Sequence, residues 1–353
     1  MAKIKAALSA TILEPYMSQV QEALDITPVG LALGHRPTED ELIEQCMGHE
    51  VVYISSEPVT RKALEAWKAS GLKLLGCGRG TPVNVDWRAA HELGIPLVYT
   101  PGRNAESVAE YVFGLVLSLL RGITRNYHCI KNGGYLADPV DDVIRAAEES
   151  KQTDVVWRFP DGRTPMREFG GGYDLYDHTI SIIGFGAIGS RVARIAHGFG
   201  MEVIAYDPYC PAEVMEKAGV ESVSLDAALS RGDIVSIHLP VNDQTRGIVD
   251  KTWFDRMKPE ALFINSARAS VVNQRDMIEA LEQKKIAGAA VDVMWVEPCP
   301  ANHPFFSMEN VLVTTHLAGM SHDVEKWQSS MIADELLRYA RGEAPQLVWK
   351  RTE

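Results

Sequence analysis

The sequence lacks the short motifs that define several large enzyme classes. None of its 353 residues takes part in a C-x-x-C, H-E-x-x-H, G-x-S-x-G or P-loop pattern. These absences argue against zinc proteases, hydrolases with a serine nucleophile elbow and P-loop nucleotide hydrolases. We therefore expect a site that contains no metal ion.

Cysteine is also scarce in this chain. There are five cysteines, an odd number, and they are widely spaced at positions 46, 77, 129, 210 and 299. Such a pattern is typical of free thiols in a reducing compartment and not of a disulfide framework. We expect a cytoplasmic protein.

No apolar run is long enough to cross a membrane. The longest, Tyr111–Leu120, has ten residues, whereas a spanning helix needs about 20. The run Ala6–Leu13 follows two lysines and resembles the core of a signal peptide, but Glu14 and Pro15 end it early. We interpret it as part of a first β-strand and expect no membrane partner.

The chain has fewer basic residues than acidic ones. It contains 35 Lys and Arg against 47 Asp and Glu, which gives a net charge of −12. This balance argues against nucleic acid as a partner, although it leaves room for a local basic pocket that binds a small anion. Hydrophobic residues make up 46% of the chain and charged residues 23%, as in an ordinary globular protein. The length indicates two or three domains of ~150 residues each.

Over residues 4–100, short apolar runs alternate with helical patterns. Thr38 followed by Glu41 is a capping box, which marks the start of one helix. This alternation predicts a parallel sheet covered by helices on both faces. The predicted strands are Ile4–Leu8, Pro28–Leu33, Val51–Ile54, Leu72–Leu75 and Leu97–Tyr99, and the predicted helices are Thr38–Met47, Thr60–Ser70 and Asn84–Leu93.

A second alternating region begins at Thr179, so that we expect two doubly wound α/β units. Before it, residues 105–127 predict one long buried helix, and residues 131–173 predict an irregular connection with a short acidic helix at Val140–Ser150. The strands predicted in the second region are Ile180–Ile183, Glu202–Tyr206, Ile234–His238, Ala261–Asn265, Gly288–Val293 and Val311–Thr314, followed by an amphipathic helix at Ser321–Arg341.

The first strand of the second region leads directly into a glycine-rich motif. The run Gly184-Phe185-Gly186-Ala187-Ile188-Gly189 follows Ile180–Ile183 and precedes the helical pattern Ser190–Gly200. In this context the first glycine forms a tight turn, the second admits a pyrophosphate and the third lets the helix pack on the strand. The motif therefore predicts a dinucleotide at the amino terminus of the helix, where N–H groups and the helix dipole favour phosphate.

The next predicted strand leads into Asp207, 18 residues after Gly189. A carboxylate there accepts hydrogen bonds from the adenosine ribose and repels a 2′-phosphate, which favours NAD over NADP. No lysine or arginine follows until Lys217. The alternative is an ordinary strand–turn–helix unit with a solvated aspartate.

Three polar residues, Arg268, Glu297 and His316, follow the carboxyl ends of later strands, where open parallel sheets place their sites. Taken singly, each has an ordinary explanation: a surface ion pair, a solvated loop acid and a histidine at a strand end. Together, after a dinucleotide motif, they indicate a carboxylate anchor and a proton donor for hydride transfer. We call these three residues the polar triad.

The order of these motifs resembles that of the D-isomer-specific 2-hydroxyacid dehydrogenases, over nearly the whole chain. The resemblance implies a flavodoxin-like substrate domain (residues 1–103 and 321–353) and a Rossmann NAD-binding domain (residues 104–320) with an irregular insertion at about 136–172. The residues that carry it are Gly184–Gly189, Asp207, His238-Leu239-Pro240, Asn265–Arg268, Asp292, Glu297-Pro298, His316–Gly319, Gly78–Thr81, Asn84–Asp86, Thr100–Asn104 and Ser107–Glu110.

The resemblance implies a role for each member of the polar triad. His316 would act as acid and base at the substrate oxygen, and Glu297 would hydrogen-bond and orient its imidazole. Arg268 would bind the substrate carboxylate and carbonyl oxygen with its fork of donors. The implied reaction is the NAD-dependent interconversion of a D-2-hydroxy acid and its 2-keto acid.

The resemblance also implies residues that contact the substrate and the cofactor. The loop Gly78-Arg79-Gly80 would bind the substrate carboxylate with its backbone N–H groups, and Asp292 would accept a bond from the nicotinamide carboxamide. Arg79 stands where an apolar residue is common, which suggests a second anionic or hydroxylated group on the substrate; the alternative is an outward-pointing side chain. The implied cofactor-binding residues are Gly184, Gly186, Ala187, Ile188, Gly189, Asp207, His238, Pro240, Thr245, Ala267, Asp292 and Gly319.

Two other functions are left open by the sequence. An NAD-sensing scaffold, like the transcriptional corepressors that share this fold, would keep the same triad, and a related dehydrogenase would act on a phosphorylated sugar acid. We expect a homodimer built on the NAD-binding domains and the helix at 105–127. We also expect the insertion to add dimer contacts or to reach a partner's active site, the alternative being a surface loop.

Overall fold

The computed structural model describes residues 3–30, 35–136, 138–150 and 162–350. Contacts divide the chain into two compact units. The first unit comprises residues 1–107 and 319–353, and the second comprises residues 108–318. All five cysteines are free thiols, as their number and spacing predict.

Strands and helices alternate along both units. The strands are β1 Ile4–Leu8, β2 Leu24–Pro28, β3 Val51–Ile54, β4 Leu74–Cys77, β5 Leu97–Tyr99, β6 Thr179–Ile183, β7 Glu202–Tyr206, β8 Glu221–Ser222, β9 Ile234–Ile237, β10 Leu262–Asn265, β11 Gly288–Val291 and β12 Val311–Val313. The helices are α1 Tyr16–Ala23, α2 Glu39–Cys46, α3 Arg61–Ala69, α4 Trp87–Glu92, α5 Ala105–Leu120, α6 Ile123–Lys131, α7 Val143–Glu149, α8 Pro165–Glu168, α9 Ala187–Gly198, α10 Ala212–Lys217, α11 Leu225–Arg231, α12 Lys251–Phe254, α13 Gln274–Glu282 and α14 His322–Ala340.

The first unit contains a five-stranded parallel sheet in the order β2-β1-β3-β4-β5. This is the strand order of a flavodoxin-like sheet. β3 and β4 pair from Val51↔Leu74 to Ile54↔Cys77, and every residue of both strands is buried. Burial on both faces requires continuous apolar strands, and it confirms the predicted α/β class of this unit.

The second unit contains a seven-stranded parallel sheet in the order β12-β11-β10-β9-β6-β7-β8. Counted from β6, this is the Rossmann order with one added strand. The strand order reverses between β6 and β9, and such switch points are where α/β sheets bind ligands, beyond the carboxyl ends of the strands. The glycine motif follows β6, and the members of the polar triad follow β10, β11 and β12, so all of them lie at this edge.

Two apolar clusters cover the two faces of this sheet. Along β10, Leu262 and Ile264 belong to one cluster and Phe263 to the other, as the alternation of side chains in a strand requires. Residues of α5 and α9 pack into the first cluster, and residues of α11 and α13 pack into the second. The sheet is therefore doubly wound, as the sequence predicts.

The edge strand β2 lies earlier in the chain than predicted. The sequence pattern indicates Pro28–Leu33, whereas the strand spans Leu24–Pro28. An edge strand has polar, exposed residues such as Asp25 and shows no continuous apolar run, which explains the error. Residues 31–34 lie outside the described residues. β4 likewise begins at Leu74, two residues after its predicted start.

The single helix predicted over residues 105–127 is wrong. α5 ends at Leu120 and α6 begins at Ile123, with a bend of 66° between them. Gly122 has a φ of +61°, in the left-handed region, and this interrupts the helix. Among the described residues no single helix is long and apolar enough to cross a membrane, and only this bent pair passes that test by length and composition.

The long connection contains α7 and α8 in its described part. α7 lies where the sequence predicts a short acidic helix, and Asp142 caps it by accepting hydrogen bonds from the N–H groups of Ile144 and Arg145. Residues 137 and 151–161 of the predicted insertion lie outside the described residues. The role of this insertion stays a prediction.

We expect Gly76→Ala to destabilise the first unit. Gly76 lies in β4 opposite Tyr53 of β3, and an added Cβ would lie 2.0 Å from Cδ2 of the fully buried Tyr53 ring. Since a packed core has no room for this methyl group, the free energy of unfolding should fall by about 1–3 kcal/mol or more. The midpoint of urea unfolding, followed by far-UV circular dichroism, measures the effect.

Gly198→Ala is the matched control. Gly198 ends α9 and is exposed, and in the described part of the chain nothing lies within 4 Å of an added Cβ. The same substitution should therefore raise stability, by roughly 0.5–1 kcal/mol. A Gly76→Ala midpoint equal to that of the wild type would show that Tyr53 has room to move.

Candidate active site

The glycine motif forms the turn between β6 and α9. Gly184 has a φ of +97°, and an added Cβ would lie 2.9 Å from the carbonyl oxygen of His238. At Gly189 an added Cβ would lie 2.2 Å from the carbonyl oxygen of Gly184. The turn and the close approach of helix to strand therefore both require glycine, as the sequence pattern predicts.

The middle of this turn, at Gly186, leaves open space for a ligand. Gly186 is the N-cap of α9, and among the described residues nothing lies within 4 Å of a Cβ added to it. Ala187 and Ile188 begin the helix, so their N–H groups have no acceptor within it. A pyrophosphate fits this space because the free N–H donors and the helix dipole of α9 favour an anion.

Asp207 lies just after β7, beside the glycine turn. Its Oδ2 accepts a hydrogen bond from the N–H of Phe185 at 2.8 Å, and its Oδ1 accepts one from the N–H of Tyr209 at 2.9 Å. These bonds fix the carboxylate, and each oxygen keeps a further lone pair for a ribose hydroxyl. The glycine turn and Asp207 therefore offer the hydrogen-bond donors and acceptors that fit the pyrophosphate and the ribose of NAD.

The polar triad lines one cavity of the second unit, with a volume of about 290 Å³. Nδ1 of His316 lies 2.8 Å from Oε2 of Glu297, and the two side chains are 43% and 42% exposed. Arg268 lines the same cavity. With Nδ1 bound to the carboxylate, Nε2 is the nitrogen left to exchange a proton with a substrate.

Hydrogen bonds keep Glu297 ionised. Burial by itself would raise the pKa of Glu297, but the bond from His316 and the bond from the N–H of Met294, at 3.0 Å, outweigh it and lower that pKa below its ordinary value. The charge of Arg268 acts in the same direction. Glu297 is therefore a carboxylate at neutral pH, and its Oε2 can accept a hydrogen bond from Nδ1 of His316.

Asn265 shapes the turn that presents Arg268. Its buried side chain accepts a hydrogen bond from the N–H of Ala267 at 3.0 Å and donates one to the carbonyl oxygen of Arg268 at 3.0 Å. Arg268 is exposed, and its Nη1 donates to the carbonyl oxygen of Ala267 at 2.7 Å. Since no carboxylate of the described residues pairs with it, the guanidinium is available to an anionic substrate.

A buried carboxylate holds the loop that carries His316. Asp292 is 0% exposed and accepts hydrogen bonds from Oγ1 of Thr314 at 2.6 Å and from the N–H groups of Leu317 at 2.9 Å and Ala318 at 2.8 Å. His316 has a φ of +59°, a left-handed conformation that is costly for a residue with a side chain. The structure thus gives Asp292 a role in positioning this loop, and its contact with the nicotinamide carboxamide stays a prediction.

The residues predicted to border the adenine follow β9. Nε2 of His238 lies 3.0 Å from Oγ of Ser236, and burial lowers the pKa of His238 to about 4, so the ring is neutral at physiological pH. Oγ1 of Thr245 donates to the carbonyl oxygen of Pro240 at 2.5 Å. This bond fixes the loop after the strand, at the same edge as the glycine turn.

The predicted substrate loop, Gly78-Arg79-Gly80, lies at the carboxyl end of β4 in the first unit. The N–H of Gly78 donates to the carbonyl oxygen of Ile54 at 2.8 Å and is used within the sheet. Gly319 also belongs to the first unit, where an added Cβ would lie 2.4 Å from Nδ2 of Asn104. The other predicted cofactor residues lie in the second unit.

Several residues of the site escape the sequence pattern. Met294 and Trp295 line the cavity of the triad, and Nε1 of Trp295 donates to the carbonyl oxygen of Val272 at 2.9 Å. The only signal for them is their position between Asp292 and Glu297. Apolar side chains in a cavity wall and in a core look alike in a sequence, so their role becomes visible only in the fold.

Comparison with known proteins identifies the family. Residues 113–318 match the NAD-binding domain of the D-isomer-specific 2-hydroxyacid dehydrogenases. The chain belongs to this family. It is 30% identical to a glyoxylate reductase of Korarchaeum cryptofilum, over 88% of this chain and 85% of that protein. It is 32% identical to a D-3-phosphoglycerate dehydrogenase of Methanocaldococcus jannaschii over 88% of this chain, and it matches 53% of the length of that relative.

Solved structures share the fold of this chain. The D-lactate dehydrogenase of Escherichia coli is 26% identical with a TM-score of 0.70, over 99% of this chain and 100% of that chain. The D-mandelate dehydrogenase of Rhodotorula graminis, at 22% identity, has a TM-score of 0.80 over 100% of this chain and 99% of that chain, which shows the fold alone. The predicted family, α/β fold and NAD cofactor are confirmed.

We expect Asp207→Ala to weaken NADH binding by about 10-fold or more, because the ribose loses a charged acceptor. NADPH should lose far less affinity or gain some, because the carboxylate that repels its 2′-phosphate is gone. Fluorescence titration of each cofactor measures the two dissociation constants.

Asp174→Ala serves as the control, since Asp174 is an exposed acid of the same unit that pairs with Arg121. It should leave both constants unchanged, and thermal melting should confirm that both variants fold. An unchanged preference for NADH in Asp207→Ala would show that Asp207 does not recognise the ribose.

Proposed function

We propose that this chain is an NAD-dependent oxidoreductase that interconverts a D-2-hydroxy acid and its 2-keto acid. The proposal rests above all on the hydrogen bond of 2.8 Å between His316 and Glu297, in a cavity that Arg268 also lines. A proton donor held by a carboxylate, beside an exposed guanidinium, is the set of groups that the reduction of a 2-keto acid requires. The activities named for the relatives, glyoxylate reduction and D-lactate oxidation, agree with this chemistry.

Each member of the triad has one task in this reaction. Arg268 binds the substrate carboxylate and the carbonyl oxygen and so polarises the C=O bond. Bound NADH supplies the hydride that the carbonyl carbon accepts. His316 donates a proton from Nε2 to the carbonyl oxygen, and Glu297 orients the ring through its hydrogen bond to Nδ1. In the reverse direction His316 takes the proton from the hydroxyl group of the 2-hydroxy acid.

The remaining predicted residues support this reaction around the triad. We propose that Gly184, Gly186, Ala187, Ile188 and Gly189 bind the pyrophosphate. Asp207 binds the adenosine ribose, the loop from His238 to Thr245 borders the adenine, and Ala267 borders the nicotinamide. The second unit would then be the cofactor domain. The first unit would be the substrate domain, with Arg79 and Gly80 in its binding loop.

A cytoplasmic location is part of the same proposal. The five free thiols are compatible with a reducing compartment. NAD and small 2-keto acids are the only partners that the proposed reaction needs, apart from a second copy of the chain.

We expect the protein to oxidise NADH in the presence of a 2-keto acid and His316→Gln to lower kcat by about 100- to 10,000-fold, because the proton donor is lost. A panel of glyoxylate, pyruvate, hydroxypyruvate and branched and aromatic 2-keto acids, followed at the NADH absorbance band, measures this. The variant should still bind NADH, as fluorescence titration will show.

His197→Gln is the control, because His197 is an exposed histidine of the second unit whose ring bonds to the carbonyl oxygen of Ala218. Its kcat should equal that of the wild type. If the wild type binds NADH and reduces no 2-keto acid, the NAD-sensing scaffold becomes the better description.

We also propose a homodimer formed through α5, α6 and the insertion. Large apolar side chains are exposed on α6, α7 and α8: Ile123 at 53%, Tyr127 at 62%, Val143 at 71%, Ile144 at 69% and Met166 at 66%. Exposed apolar surface of this kind is removed from water by association. A second copy of the chain is the partner that the family resemblance implies.

Light scattering after gel filtration at micromolar protein should give twice the chain mass of 38.9 kDa. Substituting Glu for Ile123 and Tyr127 together should shift the mass toward that of one chain, because charges would be buried in the interface. Val214→Glu, at an exposed position of α10, is the control and should leave the mass unchanged. A monomeric wild type would contradict the proposal.

A further inference from the structure

The first unit places two arginines at the carboxyl ends of neighbouring strands. Arg79 lies two residues after β4 and Arg103 lies four residues after β5, and the two strands pair at Cys77↔Tyr99. The N–H of Thr100 donates to the carbonyl oxygen of Arg79 at 3.1 Å. This bond ties the two loops together, so both arginines lie at the same edge of the sheet.

The positive charges of this arginine pair lie close to each other. Burial lowers the pKa of Arg103, and the charge of Arg79 lowers it further. Both side chains are half-buried. Nη1 of Arg103 donates to Oε1 of Gln328 in α14, whose side chain is 6% exposed. This neutral acceptor holds Arg103 in place without cancelling its charge.

No acidic side chain neutralises the pair in the described part of the chain, where neither arginine has a carboxylate within 4.0 Å. Other arginines of the same unit do have such partners: Arg61 pairs with Glu92, and Arg341 pairs with Glu343. Two half-buried like charges without a counter-ion are costly for the folded chain. An anionic ligand would remove that cost, and guanidinium groups bind carboxylate and phosphate with two donors each.

The loop beside the pair offers space for such a ligand. The nearest atom to a Cβ added at Gly80 is the carbonyl oxygen of Thr100, at 3.8 Å. The hydroxyl of Thr100 is buried and has no hydrogen-bond partner among the described residues. The N–H of Gly80 donates to no carbonyl oxygen of the described chain. Two arginines, the hydroxyl of Thr100 and the N–H of Gly80 therefore all belong to the two loops that follow β4 and β5.

We propose that Arg79 and Arg103 bind a second anionic group of the substrate, a carboxylate or a phosphate. This inference rests on the proposed function, in which the first unit binds substrate. It narrows the substrate class to dicarboxylic or phosphorylated 2-keto acids and their D-2-hydroxy forms.

The test compares matched 2-keto acids with and without the second anion. Oxaloacetate is measured against 2-ketobutyrate, and 3-phosphohydroxypyruvate against hydroxypyruvate, each as kcat/KM with NADH. For one of the two pairs, the wild type should have a kcat/KM about 10-fold or more higher for the substrate with the second anion than for its partner without it. The pair that shows this preference identifies the second anion as a carboxylate or as a phosphate. Arg79→Met and Arg103→Met should each lower the preference about 10- to 100-fold, mainly through KM.

Three further variants separate the proposed anion site from a general loss of positive charge. Arg88→Met removes an exposed arginine that lies over the ring of Trp87, and it should leave the preference unchanged. Arg79→Lys and Arg103→Lys keep the charge and lose the fork of donors, so they should give intermediate preferences. A wild type without preference for either anionic member, or a preference that survives in both Met variants, would overturn the proposal.

Calorimetric titration with inorganic phosphate and with malonate separates this inference from the proposed function. If no 2-keto acid is reduced, the proposed function fails, while the titration still tests the arginine pair. Binding of either anion that disappears in both Met variants supports the anion site. Binding that both variants retain, or no binding by the wild type, overturns it.

Discussion

The buried carboxylate of Asp292 is the constraint on which the candidate site depends. It lies at the end of β11, where its own N–H donates to the carbonyl oxygen of Asn265 at 3.0 Å, and its oxygens accept three bonds from the loop after β12. These bonds connect the carboxyl ends of three strands. They hold His316 in a left-handed conformation that it would not adopt in an unconstrained loop, and in that conformation its ring meets Glu297.

In the proposed function, anion recognition is local, because the chain as a whole is acidic. A net charge of −12 opposes the approach of a negatively charged substrate. Arg268 lines a cavity whose walls are partly apolar, and Arg79 and Arg103 are half-buried. Salt and water screen a charge less in such places than on an open surface, so in the proposed function a few positioned donors decide binding. The glycine turn uses the same principle with backbone N–H groups in place of side chains.

The errors made from sequence share a physical origin. β2 was misplaced because an edge strand need not be apolar. The break between α5 and α6 was missed because a single glycine such as Gly122 does not by itself end a helix. The sequence identified Asp292 as a site residue, but it did not identify the groups that donate hydrogen bonds to it. That Thr314, Leu317 and Ala318 all donate to it depends on the pairing of β11 with β12. Arg103 was not predicted to contact substrate for a similar reason, since only the pairing of β4 with β5 brings its loop beside that of Arg79.

The sequence by itself determined the parts of this protein that depend on local chemistry. Alternating strands and helices specified the two α/β units, the glycine motif specified the dinucleotide turn, and Asp207 indicated NAD. The family resemblance already implied the bond between His316 and Glu297. The tertiary structure alone decided that three donors bind Asp292 and that Arg79 and Arg103 lie in adjacent loops. Propensity and glycine conformation act over a few residues and can be read along the chain. Contacts between loops at the edge of a sheet depend on strand order, which is set by the packing of the whole unit.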